Sequence, residues 1–281
     1  VVTDPGSPLD LQSRAAGLRV INADANVGGR FSALSAFGLT PAALIGVDIS
    51  VLLDDALDAA KTFTAPNSAA VVVAAALADP LMSYVGFCDK GSSVPGLSEW
   101  IEQLIAESTG KDEKGILPVV VSEPRSPFYP TITFTNNGPL SVTGTLGGHF
   151  IFWEWVTALT SYLLNVDPFN QPNVTEAKEK TGALLQRWQI SGIEPQVPAF
   201  ESENVQVFAD SGLKSLAEFL AASSAMNPGY IALMAYLHRG VDDRIALLRE
   251  KLENASRTPV TFGWGPRFLH STGQFHKGGP K

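Results

Sequence analysis

Cysteine is nearly absent from this 281-residue chain, where Cys88 stands alone. One thiol closes no internal disulfide and builds no cysteine-based zinc cluster, which fits a reducing cytoplasm. Beyond Lys90, Cys88 has no basic neighbourhood, so it is not a candidate nucleophile. Positive charge is also in short supply. Lys and Arg number 20 against 28 Asp and Glu, leaving a net charge of −8. With no run of Lys and Arg, the composition argues against nucleic-acid partners and against anionic membranes. An anionic substrate would have to be met by placed cations rather than by the overall field. Long apolar runs are missing too. The most apolar, AAVVVAAALA from Ala69 to Ala78, is too short to span a bilayer and reads as a buried helix. The opening VVTDPGSPLD lacks the basic and apolar regions of a signal peptide. It begins like the tail of a strand, and HKGGPK at the other end reads as turn residues. Both ends are therefore expected to continue into a longer polypeptide.

What remains is ordinary globular material: 45% hydrophobic and 17% charged residues, enough for one large domain or two smaller ones. The sequons at Asn173 and Asn254 matter only in a secreted chain and read as chance.

Periodicity sets out the elements. Val1–Val2 ends a strand, LDLQSRAAGL has helical spacing, and RVINA is a short strand. NVGGRFSALSAFGL is a glycine turn opening into helix. Residues 51–82 read as largely helical, broken at Pro66. Ser98 is a plausible N-cap for a helix over 99–107. ILPVVV (116–121) and TITFTN (131–136) read as strands, and a long helix covers 148–164. Asn173 and Glu176 have capping-box spacing for a helix over 174–189. Helix 212–223, strand YIALMAYL, helix 241–255 and strand PVTFGWG complete the pattern, with Asp242 and Asp243 as acids near a helix N-terminus. Strands alternating with helices of this length predict an α/β fold with a mainly parallel sheet. The expected division lies near 80–97. Residues 1–90 read as the back half of one sheet domain with connecting helices, and 91–281 as a second domain.

Four segments carry chemistry. In NVGGRFS, Gly28 and Gly29 permit close backbone approach to a ligand, and Arg30 adds a planar cation suited to oxyanions. A plain strand-to-helix turn with a surface arginine explains the same residues. In AESTGK, Glu107 falls near a helix C-terminus, the wrong end of the dipole for a carboxylate. That position suits a base with a raised pKa, but alone it reads as a frayed, solvated helix end. In PFNQPNVTEAK, Gln171 precedes a helix and Lys178 follows seven residues later; alone, this is a capped amphipathic helix. WGPRFLHSTGQFHKGGP gathers His270, Gln274 and His276 after a strand, where α/β folds place their sites. No nearby carboxylate or cysteine completes a metal set there. His149, in LGGHFIFWEW, sits among apolar residues and reads as structural.

Together these segments resemble the phosphoglucose isomerase (glucose-6-phosphate isomerase) family of the sugar-isomerase-domain superfamily. VGGRFSALSAFGL is similar to the family's first signature, and DPFNQPNVTEAK to its second. AESTGK is similar to its glutamate segment, with Thr109 in an asparagine's place. The wording resembles actinobacterial-type enzymes and the isomerase half of fused transaldolase–isomerase proteins. Asn173 and Thr175 replace a glycine and a glutamate of the second signature. The strand–His–helix segment comes at the end rather than between the glutamate and the second signature, so the order looks permuted.

The resemblance implies a three-layer α/β sandwich with mainly parallel sheets flanked by helices. It implies aldose–ketose isomerisation of glucose 6-phosphate and fructose 6-phosphate through a cis-enediol. Glu107 would be the base, Arg30 would stabilise the intermediate, and His270 would assist ring opening, with His276 as second choice. Lys178 would share that task or hold the sugar. Gly28, Gly29, Gln171, Gln274 and His276 would contact substrate. No metal or organic cofactor is implied, because the neighbouring aldehyde acidifies the C2 hydrogen. The family forms dimers, and its phosphate loop would lie upstream of Val1. Two other readings share these residues: a non-catalytic sugar-phosphate sensor, and an isomerase that also accepts mannose 6-phosphate.

Overall fold

A computed structural model describes residues 1–202, 205–209, 212–226 and 228–280. It is an α/β fold of mainly parallel sheets flanked by helices, the expected class. The chain divides into two compact units. One comprises Val1–Gln171 and Arg267–Pro280, the other Pro172–Pro266. Residues 80–97, which include a strand, lie inside the first unit. Among the described residues no helix is long and apolar enough to cross a membrane.

The first unit opens with β1 (Val2–Thr3), α1 (Pro8–Ala15) and β2 (Ile21–Asn22). β1 and β2 pair in parallel. Ser7 caps α1 by accepting from the Asp10 N–H, one of the donors a helix start leaves unpaired. A 3₁₀ turn over Gly29–Phe31 follows, so the glycines open into one short turn before the helix proper. Next come α2 (Ala36–Leu44), α3 (Ile49–Ala60) and α4 (Ala69–Leu77). The last two form the expected helical stretch, interrupted around Pro66.

β3 (Tyr84–Cys88) leads into α5 (Leu97–Thr109), and β4 (Leu117–Val120), β5 (Thr131–Thr133) and β6 (Leu140–Ser141) complete a sheet. Its order is β4-β3-β5-β6, and every pair is parallel. β3, with buried residues at four of its five positions, reads as a central strand should. α6 (Leu146–Leu164) packs against α3, α4 and α5. The core forms where these meet, around Phe87, Ile101, Ile105, Ile132, Trp153 and Val156. Trp153 meets Phe87 edge-on at 5.3 Å, the geometry that ring quadrupoles favour.

The second unit contains α7 (Pro172–Ser191), the antiparallel pair β7 (Phe200–Ser202) and β8 (Val205–Val207), and α8 (Leu216–Ala225). β9 (Ile231–Ala235), α9 (Leu248–Ser256) and β10 (Val260–Trp264) follow, with β9 and β10 parallel. The chain then returns to the first unit for α10 (Gly273–Gly278).

Several expected boundaries move. α5 starts earlier, at Leu97, with Gly96 rather than Ser98 in the capping position. The Ser98 N–H instead donates to Asp89 Oδ2 at 3.0 Å, so the cap is supplied from nine residues upstream. α7 begins at Pro172, whose missing N–H costs nothing there, and Asn173 and Glu176 lie within the helix. α8 starts at Leu216 rather than 212. A 3₁₀ stretch, Asp243–Leu247, precedes α9. There Asp242 and Asp243 accept from the N–H groups of His238 and Gly240. The HKGGP end is partly helical, since α10 contains His276 and Lys277. Lys281 lies outside the described residues.

Candidate active site

Three remote segments of the first unit meet at Arg30. The 3₁₀ turn after Gly28 delivers its guanidinium to the end of α5, where the side chain is buried. One amino group donates to Ser108 Oγ at 2.6 Å and to the Pro168 carbonyl at 2.7 Å. The other donates to the Asn170 carbonyl at 3.1 Å and to Gln171 Oε1 at 2.7 Å. The Nε faces Glu107 Oε1 at 3.7 Å. A planar fork with five donors is the side chain suited to such a junction.

Glu107 lies in the last turn of α5, with only 9% of its surface exposed. Burial pushes its carboxyl above the ordinary range; Arg30 is the chief force pulling it back, followed by the hydrogen bond from Gln103. That bond, from Gln103 Nε2 to Glu107 Oε2, measures 3.3 Å. The negative end of the helix acts in the same upward direction as burial. Burial likewise lowers the Arg30 guanidinium from its usual value, while Glu107 and Asp167 support its charge. The result is a poised carboxylate with a fixed cation beside it.

Lys111 is a member of this cluster that sequence reasoning did not nominate, although it closes the AESTGK segment. It is 2% exposed. Its ammonium donates to the carbonyls of Asp167 and Asn170, the latter at 2.6 Å, and to Asn170 Oδ1 at 3.1 Å. Burial, followed by repulsion from Arg30, brings its pKa down to about 8. Arg30 and Lys111 thus hold the 167–171 segment from two sides. Ser108, the other unforeseen member, is fully buried beneath Arg30. The signal for both was their adjacency to Glu107 in sequence. Their partners, 56 to 59 residues from Lys111 and 78 from Ser108, were not visible there.

His270 is exposed, and its charge is felt at Glu107. His276, on α10, is partly buried and pushed down to about 4, first by burial and then by Lys277. Gln274 is fully buried, and its amide donates to the Gly110 carbonyl at 2.9 Å. Gly28 and Gly29 both precede Arg30, as the cap and first residue of its turn, and a Cβ built on either would meet nothing within 4 Å. Gln171 reaches Arg30. Lys178 is exposed on α7, in the second unit. Arg30, Glu107 and Gln171 are therefore brought together, with His270 near Glu107.

His149 is buried on α6 against Phe134, ring centroids 5.3 Å apart, and burial lowers its imidazole pKa. Cys88 is buried at the end of β3, and burial raises its thiol.

No family model matches the chain. It is similar to the glucose-6-phosphate isomerase of Listeria monocytogenes serotype 4b (strain F2365), with 30% identity across 57% of this chain and 51% of that protein. The glucose-6-phosphate isomerase of Lactococcus lactis subsp. cremoris (strain MG1363) is 40% identical, across 59% of this chain and 55% of that one. That of Exiguobacterium sibiricum is 27% identical, across 66% and 54%. The chain spans about half the length of the curated relatives it matches. Among solved structures, a hypothetical protein from Thermus thermophilus superposes with a TM-score of 0.57 at 23% identity. The match covers 68% of this chain and 62% of that one, and shows a common fold. In sequence, the chain is similar to proteins named glucose-6-phosphate isomerase over somewhat more than half its length.

Proposed function

We propose that this chain carries the proton-transfer centre of an aldose–ketose isomerase acting on glucose 6-phosphate and fructose 6-phosphate. The observation that carries the reading is Glu107: a buried carboxylate, raised by its surroundings, 3.7 Å from a buried arginine. A carboxylate held in that state is a stronger base than a solvated one. The named relatives supply the substrate class.

In this reading Glu107 takes the proton from C2 of the open-chain aldose. The C–H electron pair becomes the C1–C2 double bond, and the carbonyl oxygen gains charge that a proton then quenches. The proton on O1 is the one that the O2 hydroxyl gives up; Glu107 returns its own proton to C1, the C1–C2 double-bond pair forms the new C1–H bond, and the O2 carbonyl forms. The developing oxyanion needs fixed positive charge close by, and Arg30 provides it by releasing Gln171 Oε1 and turning that donor toward the substrate. Gln171, freed by the exchange, orients hydroxyls alongside Gly28 and Gly29. His270 moves the proton that opens the sugar ring.

The test is Glu107→Gln, which keeps the shape and removes the base. Turnover should fall about 100- to 10,000-fold, while binding of the sugar phosphate, followed by calorimetry, should hold. Solvent hydrogen exchange at C2 should fall in step with turnover. Undiminished exchange would remove Glu107 from the role of base. In the parent protein the acid limb of kcat/KM should lie above 4.5, the ordinary value for the group, because burial raises it.

A further inference from the structure

The segment that carries His270 is fastened to α5 at both ends. At its start, Arg267 donates to Glu102 Oε2 at 2.8 Å and to the Glu99 carbonyl. At its finish, Gln274 donates to the Gly110 carbonyl at 2.9 Å. A little further on, the Glu113 N–H donates to the Gly278 carbonyl at 2.9 Å. These anchors lie in the first two turns of α5 and just past its end, and His270 lies between them in sequence, close enough to Glu107 for its charge to act on that carboxylate.

The Arg267–Glu102 pair is costly to build. Glu102 is 2% exposed, while Arg267 is partly exposed. Two charges taken from water return little net stability, yet removing one partner strands the other. Nothing in the proton-transfer chemistry uses either side chain. The pair does define a distance and an angle: a forked guanidinium holding both a side chain and a carbonyl on one helix leaves little freedom for the residues that follow it.

We infer that Arg267 and Glu102 are a positioning pair that sets His270 against Glu107, with Gln274 as the second anchor. This rests on the isomerase reading for its kinetic consequence, but the placement of His270 can be tested without it. The anchors make α5 the common base for both groups, so the distance between them is fixed by one rigid element.

The experiment replaces the ion pair with an amide pair, E102Q/R267Q, which leaves no buried charge unpartnered. The chain's ring-proton resonances for His270 are recorded with and without E107Q. In the parent background E107Q should move the His270 resonances, and in the E102Q/R267Q background that response should shrink to less than half. An undiminished response would overturn the inference whether or not the protein is an isomerase. Kinetics add a second readout. Misplacing a catalytic group by about 1 Å costs on the order of 100-fold, so E102Q/R267Q should lower kcat on cyclic glucose 6-phosphate roughly 10- to 100-fold with little change in KM. Adding H270A should then cost little more, because residues acting as one unit do not add. Fully additive losses would mean a general structural role and would overturn the inference. Absent turnover in the unmodified protein would count against the isomerase reading and leave the resonance test to decide the positioning. Should E102Q/R267Q not fold, Q274L, which removes the other anchor, takes its place in the same resonance test with the same two outcomes.

Discussion

At the scale of single residues, the site is a set of charges kept close by burial. Lys111 gives a pH signature. Its pKa of about 8 lies below the ordinary 10.5 because burial disfavours the ammonium. Between those values the unfolded chain still holds a proton that the folded chain has released. Stability from this group therefore rises with pH across that window. The neutral amine has two N–H donors for the three acceptors that the ammonium serves. We expect the amide resonances of Asp167 and of residues 169–171 to titrate with a midpoint near 8, and Lys111→Arg to flatten the curve. A titration that survives the substitution would assign the midpoint elsewhere. Glu107 has the opposite sign. Its folded pKa is raised, so its contribution is favourable in acid and is lost as pH rises through that value. Arg30, Glu107 and Gln171 were legible only through the family resemblance of their segments, since residue type and spacing alone read as well as plain turns and helix ends, and the structure brings them together. The sequence did not make Lys111 or Ser108 legible. Lys111's hydrogen-bond acceptors include main-chain carbonyls, which no side-chain pattern announces, and Ser108 binds a guanidinium that arrives from 78 residues away.

At the scale of elements, close approach of backbones decides what is tolerated. Gly147 in the first turn of α6 sits directly over α3, where an added Cβ would fall onto the Leu52 carbonyl oxygen. Gly147→Ala should therefore force α3 and α6 apart and cost about 1–3 kcal/mol. Urea unfolding followed by circular dichroism would measure this, and an unchanged midpoint would show that the helices separate freely. β4 and α5 were readable, as a short apolar run and a helical period; β3 was not, because Tyr84–Cys88 falls where a division between domains was expected and shows no alternation. The start of α5 was not, because its cap is Asp89, nine residues upstream across an intervening loop. α10 was read as turn because its glycines and short length lack propensity. The Gln274 bond to Gly110 and the packing of Phe275 on that glycine hold it as helix.

At the scale of the whole molecule, the two units differ in how firmly they are built. α5, in the first unit, buries ten of its 13 residues, whereas α7, in the second, buries one of 20. Local stability follows burial. Native-state hydrogen exchange should find α7 amides opening at lower free energy than those of α5. Calorimetry should give a van't Hoff enthalpy below the calorimetric one, the mark of units that melt apart. Equal protection in both helices, with a single two-state transition, would contradict this. The first unit is discontinuous. Residues 267–280 return to it after a 95-residue excursion, from Pro172 to Pro266, and no linker composition marks either crossing.

Arg30 joins groups 78, 138 and 141 residues further along the chain. During synthesis the arginine leaves the ribosome long before its partners exist. At ordinary rates of about 5–20 residues per second, the wait for Gln171 is roughly 7–28 s. For that interval a guanidinium destined for the interior has only water and transient neighbours to bind. The end of α5 arrives midway and the 167–171 segment last, so the site closes in the order of translation. A nascent chain that ends before Gln171 therefore lacks the last of these partners, and the hydration it leaves on the guanidinium must be stripped in the same step that seats Gln171.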